Sequence, residues 1–201
     1  MGPGIIIPVV LIAIVVPIAF TLAKRYLKDG SAGGLDEPIV APSARLTSNA
    51  LRELPTPMWR IVYEIAEEKL AGVGHVLIGP PGIFAVQTSM EPLPAPVDGP
   101  PEAHAVAAAA IARGELDDAL RRCAMTSDRL LTVHWGASAP SAPIAVETVP
   151  GAIAVDGRAL ARWAEQAVAD VIESGQPLSQ AQTDLAWQTV TIAIGRPDPL
   201  I

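Results

Sequence analysis

The sequence contains very little cysteine and histidine. Cys123 is the only cysteine in 201 residues, and histidine occurs at three positions. A single cysteine excludes an intrachain disulfide and a thiolate cluster for zinc or iron–sulfur ligation, and it fits a reducing compartment such as the cytoplasm. No His-x-x-x-His or Cys-x-x-Cys spacing occurs either. No motif therefore predicts a bound metal or cofactor.

Basic residues are also scarce. The chain has 14 Lys and Arg against 21 Asp and Glu, which gives a formal net charge of -7. Binding a phosphate backbone requires a field of Lys and Arg that releases counterions. We therefore expect no nucleic-acid partner.

One long apolar run is present near the N-terminus. Gly4 to Ala23 contains no charged residue, and Lys24, Arg25 and Lys28 follow it. As a helix this run would reach about 30 Å, the thickness of the hydrocarbon core of a bilayer. The basic residues follow the run instead of preceding it, which favours a retained anchor over a cleaved signal peptide. The positive-inside rule then predicts a single-pass inner (plasma) membrane protein whose C-terminal domain is cytoplasmic.

The remaining chain is long enough for one domain with its own core. We predict an anchor over residues 1–28, a linker rich in Gly, Ser, Ala and Pro over 29–55, and a domain over 56–201. Apolar spacing and turn residues predict its elements. The predicted helices are Thr56–Ala71, Glu102–Arg122, Gly157–Glu173 and Ser179–Ile194, and the predicted strands are Val73–Gly79, Ile83–Thr88, Leu130–Trp135, Ile144–Thr148 and Ala152–Val155. This order indicates an α/β (α+β) fold in which helices cover a small mixed sheet, preceded by one transmembrane helix.

The centre of this domain resembles a known family. The stretch HVLIGPPGIFAVQTS, from His75 to Ser89, is similar to the centre of the nuclease-related domain, a branch of the restriction-endonuclease-like fold. The step Pro101-Glu102-Ala103-His104-Ala105 resembles the start of the next helix in that family, and the similarity extends over roughly 110 residues. The resemblance implies that this domain has the restriction-endonuclease-like fold.

The same resemblance implies that the nuclease chemistry is lost. Nucleases of the family hold a divalent metal with an Asp before the first hairpin strand and a Glu-x-Lys on the second, and the Lys helps to position the attacking water. Those positions fall on Gly74, Gln87 and Ser89, and the Gln of the next helix falls on His104. One neutral amide cannot replace two carboxylates. We therefore expect no catalytic residue and no enzyme activity.

Other chemistry-bearing residues have ordinary interpretations. No motif places a Ser or Cys nucleophile beside His104, whereas His75 and His134 lie in strand-like runs. Cys123, near the end of an Ala-rich helix, is predicted to be a small buried residue and not a reactive thiol. Acidic residues that could suggest a metal-binding surface are expected to form solvated helix faces; they are Glu64, Glu67, Glu68, Asp117 and Asp118. The turn Gly79-Pro80-Pro81-Gly82 lacks the backbone donors of a phosphate loop.

Three features favour protein binding over catalysis. The proline-rich stretch Pro92–Pro101 includes Pro94 and Pro96 and would lose little entropy on binding a partner. Trp187 belongs to an apolar C-terminal helix, for which packing back onto the domain is the other expectation. Pro8 and Pro17 lie among small residues of the anchor, where another membrane helix could pack.

These features lead to two hypotheses from different classes. The first is a non-catalytic, single-span accessory protein whose cytoplasmic domain binds and stabilises or regulates a larger inner-membrane complex. Its layout resembles that of the actinobacterial trehalose monomycolate transport accessory factors, which implies cell-envelope lipid transport. The alternative is a residual metal-dependent nuclease or nucleic-acid-binding protein that uses Glu64 or Glu67. A small-ligand sensor with a pocket under the proline-rich stretch is a third possibility without a supporting motif.

Overall fold

The computed structural model describes residues 42–96, 103–138 and 142–196, which form a mixed sheet with helices on both faces. The strands are β1 (Arg60–Val62), β2 (His75–Gly79), β3 (Gly82–Ser89), β4 (Arg129–His134), β5 (Ala145–Val149) and β6 (Ala152–Asp156). The helices are α1 (Pro42–Arg52), α2 (Ala103–Leu120), α3 (Leu160–Ser174) and α4 (Gln180–Ala193). Short 3-10 turns at Arg121–Cys123 and Gly157–Ala159 follow α2 and precede α3. The predicted mixed α/β class is confirmed.

The six strands lie in the order β1-β2-β3-β4-β6-β5. β1 pairs antiparallel with β2, and β2 pairs antiparallel with β3, whereas β3 pairs parallel with β4 and β4 pairs parallel with β6. β5 pairs antiparallel with β6 at the far edge. Parallel neighbours require a crossover, and α2 supplies the crossover between β3 and β4.

Two apolar layers lie on opposite faces of the sheet because strand side chains alternate between the faces. On the α2–α4 face, helix residues Ala112, Leu116, Ala186 and Val190 pack with strand residues Val76, Ile78, Ile83 and Ala85. On the α1–α3 face, Leu51, Leu160 and Trp163 pack with Leu77, Phe84, Val86 and Leu131. The sheet is therefore the middle layer of a three-layer α/β/α arrangement.

Helix α1 lies inside the segment predicted to be a linker, so that prediction is wrong for residues 42–52. Pro42 occupies the first helical position, which suits its fixed φ, and the buried residues are Thr47, Ser48 and Leu51. Two of these three buried residues are polar. A search for apolar periodicity therefore does not detect this helix, although α1 packs on the same core as α3.

The helix predicted from Thr56 to Ala71 is also wrong. Residues Arg60–Val62 form strand β1 instead, with Ile61 opposite Leu77 of β2. Glu64 follows with a positive φ of 50°, which ends the extended backbone. The helical spacing of Met58, Ile61 and Ile65 was misleading, because β-branched residues in this stretch pair with β2 and complete the sheet.

The remaining predicted elements are confirmed with small shifts in their ends. β2 and β3 form the predicted hairpin around Pro80 and Pro81. The final helix begins at the predicted Ser179, whose side chain accepts a hydrogen bond from Gln182 N–H in a capping box. The predicted anchor over residues 4–23 lies outside the described residues. Within the described ranges, no helix is both long enough and apolar enough to span a bilayer.

Replacing Gly79 should test the packing of the hairpin on Trp59. A Cβ atom at Gly79 would lie 2.3 Å from the Trp59 ring, which is 1% exposed. We expect Gly79→Ala to lower the free energy of unfolding by about 1–3 kcal/mol, because the buried indole cannot move aside without strain. Urea unfolding followed by tryptophan fluorescence measures this change.

Gly114→Ala is the matched control. Gly114 lies in α2, and an added Cβ would meet no atom within 4 Å beyond its chain neighbours and the backbone of the helix itself. Alanine is the better helix former, so this variant should raise the free energy of unfolding by up to about 1 kcal/mol. Equal effects of the two substitutions would contradict the packing of Trp59 against Gly79.

Candidate functional site

Two of the four positions implied by the nuclease resemblance, Gly74 and Gln87, lie opposite each other at one end of the β2–β3 hairpin. His75 pairs with Val86, so the same register places Gly74 opposite Gln87. Gly74 N–H donates to the Val86 carbonyl at 2.9 Å. Gln87 Nε2 donates to the Gly72 carbonyl. The Gln87 side chain therefore has a structural role, because its hydrogen bond holds the turn that precedes β2.

The third position lies at the end of β3 and is also used structurally. Ser89 Oγ accepts a hydrogen bond from Glu91 N–H at 3.1 Å, and the Ser89 carbonyl accepts one from Trp135 N–H at 2.9 Å. These bonds hold the chain where it leaves the sheet. His104, at the fourth position, is exposed near the start of α2.

His75 is the most deeply buried ionisable group beside these positions. The side chain is 0% exposed, and Nδ1 accepts a hydrogen bond from Glu64 N–H at 3.0 Å. Burial lowers the pKa of His75 to about 4, although the Glu64 carboxylate and the Ala44 carbonyl oppose this shift. His75 is therefore neutral at physiological pH. Its Nε2 atom has no hydrogen-bond partner among the described residues.

Polar side chains also meet at the carboxyl ends of β3 and β4. Thr47 Oγ1 of α1 accepts hydrogen bonds from Thr88 Oγ1 at 3.0 Å and from Trp135 Nε1 at 2.8 Å. His134 Nδ1 lies 3.3 Å from the Glu91 carbonyl oxygen, and the side chain is buried. These contacts attach α1 and the chain after β3 to the sheet. The interpretation of His134 as a sheet residue fits them.

The predicted acidic surface is partly used in internal contacts. Asp117 accepts hydrogen bonds from Ser127 N–H at 2.5 Å and from Ser127 Oγ at 2.7 Å. Asp118 pairs with Arg121 on the exposed side of α2. Within the described residues, no group of three His, Cys, Asp or Glu side chains is arranged to hold a metal ion.

Cys123 is partly buried against the core of the α2–α4 face, and its Sγ donates to the Leu120 carbonyl at 3.1 Å. This contact fits the expected structural cysteine. Sulfur in such a setting acts as a small apolar group with a weak donor.

The proline-rich stretch is partly attached to the domain. Leu93 is buried against Val146 and Ala154 on the α2–α4 face, and its N–H donates to Ser138 Oγ at 3.3 Å. Pro94 is half-buried and Pro96 is exposed. Residues 92–96 are thus anchored by Leu93, with Pro96 exposed, and residues 97–101 lie outside the described residues.

Trp187 lies against the domain's own edge strand. Its Nε1 donates to the Ile61 carbonyl at 3.4 Å, and the Arg60 guanidinium lies 5.7 Å from the centre of the ring. Asp184, one turn earlier in α4, accepts from Arg60 Nε at 2.7 Å. Trp187 therefore helps α4 to cover β1, whereas Leu185 on the same helix is 47% exposed. Pro8 and Pro17, the other predicted contact residues, lie outside the described residues.

Sequence reasoning missed a cavity of about 590 Å3 beneath α3. Phe84 and Trp163 contribute an edge-to-face aromatic pair with ring centres 5.5 Å apart, and Ile144 and Ile153 add aliphatic surface. Asp128, Arg129 and Asp170 supply charged groups to the lining. A volume of this size lies within the usual range for small-molecule sites. The cavity is on the face opposite Leu93, so it is not the predicted pocket under the proline-rich stretch.

Comparisons of this chain with protein-family models, with curated proteins and with solved structures found no match.

Acidification should weaken the fold through His75. The folded-state pKa of about 4 lies below the ordinary value of 6.5, so the unfolded chain binds a proton first as pH falls. The stabilisation is therefore complete above about pH 6.5 and decreases as pH falls towards about 4. We expect His75→Gln to flatten this part of the pH dependence of the unfolding free energy.

Urea unfolding of the wild type and of His75→Gln between those pH limits measures the slope. An unchanged slope in His75→Gln would mean that another group causes the acid sensitivity.

Proposed function

We propose that this protein is a non-catalytic, single-span membrane accessory protein whose domain binds and stabilises or regulates a larger inner-membrane complex. The process that we put first is cell-envelope lipid export of the trehalose monomycolate type, on the basis of the layout resemblance. The apolar run from Gly4 to Ala23 and the basic residues after it support the membrane attachment. The acidic composition favours a protein partner over a nucleic acid.

The bonding of Gln87 is the observation that carries the non-catalytic part of the proposal. At the position of a metal-binding Glu, the Gln87 amide instead bonds to the Gly72 carbonyl, and Gly74 opposite it has no side chain. A hard divalent cation prefers anionic oxygen ligands, which these two residues do not provide. The end of the hairpin therefore supports a structural role better than metal-dependent hydrolysis.

Recovery of a partner from the native membrane tests the proposal directly. We expect the intact protein, purified in mild detergent from its own membranes, to bring down one large integral membrane protein in near-equal amount. Quantitative mass spectrometry measures the ratio, and the same protein lacking residues 42–196 is the control for contacts made by the apolar run alone. Recovery without any partner in comparable amount would contradict the accessory role.

A cleavage assay separates the proposal from the residual-nuclease alternative. We expect the full chain to leave supercoiled and linear DNA and single-stranded RNA intact in the presence of Mg²⁺ or Mn²⁺. The alternative predicts cleavage that Glu64→Gln or Glu67→Gln abolishes, because it assigns the metal to one of these two carboxylates. Metal-dependent cleavage lost in either variant would overturn the non-catalytic part of the proposal.

A further inference from the structure

Strand β5 forms one edge of the sheet and has free backbone groups. Asp156 N–H donates to the Ile144 carbonyl at 3.1 Å, and the register continues with Val146 opposite Ala154 and Glu147 opposite Ile153, up to a β-bulge between Glu147 and Val149. Hydrogen-bonded and non-hydrogen-bonded pairs alternate in an antiparallel ladder. Ala145 and Glu147 are therefore non-hydrogen-bonded pairs with β6, and their N–H and C=O groups point away from it. Within the described residues, no group bonds to these outward N–H and C=O groups.

The opposite edge of the sheet differs in this respect. Helix α4 packs beside β1, and the Trp187 indole bonds to the Ile61 carbonyl. Natural sheets often cover an edge in this way to prevent unwanted pairing. β5 is not covered in this way, but its β-bulge after Glu147 and the flanking Pro143 and Pro150 restrict the addition of another strand to Ala145–Glu147.

Apolar surface flanks β5 on both faces of the sheet. On the α2–α4 face, Val146 packs with Leu93 of the proline-rich stretch. On the α1–α3 face, Ile144 and Ala145 line the cavity that also contains Phe84 and Trp163. An added strand would therefore place alternate side chains on Leu93 and over this cavity. Backbone bonding combined with pockets for alternate side chains is the usual mode of strand addition.

Charge and strand length argue against a second copy as the added strand. Glu147 is exposed on the edge, and two copies paired about Val146 would bring their Glu147 side chains close together on one face. Pro143 and Pro150 flank β5 and limit the pairing to a short strand. The exposed Glu147 carboxylate favours a basic residue of the partner opposite it.

We propose that β5 takes up an extended segment of a partner protein as an added strand, with apolar residues opposite Ala145 and Val146 and a Lys or Arg opposite Glu147. This inference rests on the proposed function and names the surface by which the domain binds its partner. The backbone groups of Ala145 and Glu147 supply the pairing, and the Glu147 carboxylate selects the charge of the segment.

A labelled peptide that repeats Val-Leu-Val-Lys twice tests the binding surface. On one face of the bound peptide, the Val side chains would contact Leu93. On the other face, Leu side chains would contact the cavity and Lys side chains would pair with Glu147. The comparison peptides have Glu in place of Lys, or have N-methyl groups on alternate backbone amides. Fluorescence anisotropy with the full chain in detergent micelles measures the dissociation constants. We expect binding of the Lys peptide, about tenfold weaker binding of the Glu peptide, and no saturable binding of the methylated peptide.

Two substitutions of Glu147 separate the effect of side-chain charge on peptide binding from the effect of backbone hydrogen bonding. Glu147→Lys should reverse the preference between the Lys and Glu peptides. Glu147→Pro removes the outward N–H of residue 147 and should weaken the binding of the Lys and Glu peptides by about tenfold or more. The pairing of β5 with β6 is kept, because the N–H of residue 147 does not bond to β6. Glu115→Lys, an exposed reversal on α2, should bind like the wild type. Equal binding of the methylated peptide, or no change in Glu147→Lys, would overturn the inference.

The native partner provides the decisive comparison. In the membrane pull-down, Glu147→Pro and Glu147→Lys should each lose the partner that the wild type and Glu115→Lys retain. A partner retained by both Glu147 variants would overturn the role of β5 and leave the proposed function standing, whereas a wild-type protein without a partner would overturn the proposed function. A wild-type dimer that Glu147→Pro converts to a monomer would assign the edge to a second copy and also overturn the inference.

Discussion

The burial of β2 on both faces is the constraint on which the rest of the fold depends. All five residues from His75 to Gly79 are buried, and β1 and β3 cover the two long sides of the strand. A strand buried on both faces requires a helical layer above and below it. Helices α1 and α3 form one layer, and α2 and α4 form the other. The same burial keeps the imidazole of His75 neutral.

How much of this fold the sequence predicts depends on how each element is buried. β3, α2, β4 and α4 have apolar or Ala-rich sequences bounded by Gly, Pro or capping residues, and their positions are predicted correctly. Helix α1 buries Thr47 and Ser48, so its contacts with the sheet depend on partners that are distant in sequence. β1 is only Arg60–Val62, and a three-residue strand has no periodicity of its own. Both errors arise where tertiary contacts outweigh local preference.

The sequence also predicts some parts of the candidate site and not others. Gly74 and Gln87 lie near one another because they share a hairpin whose register follows from its turn, and the sequence predicts that hairpin. The cavity beneath α3 has no such local signal. Phe84 and Trp163 are 79 positions apart in the numbering and meet because β3 and α3 pack on one face. The free edge at β5 likewise follows from strand order, which sequence patterns do not specify.

Helix α4 has a consequence for the stoichiometry of any complex formed along the sheet. Filaments grow when each added strand leaves a new free edge and the other end of the sheet can also pair. Here the β1 edge is occupied by the chain's own Trp187. When one edge of a sheet is covered, strands can be added only at the other edge. Addition stops after one strand if the outer edge of that strand is covered or too short to pair again. Strand addition along this sheet would therefore be self-limiting.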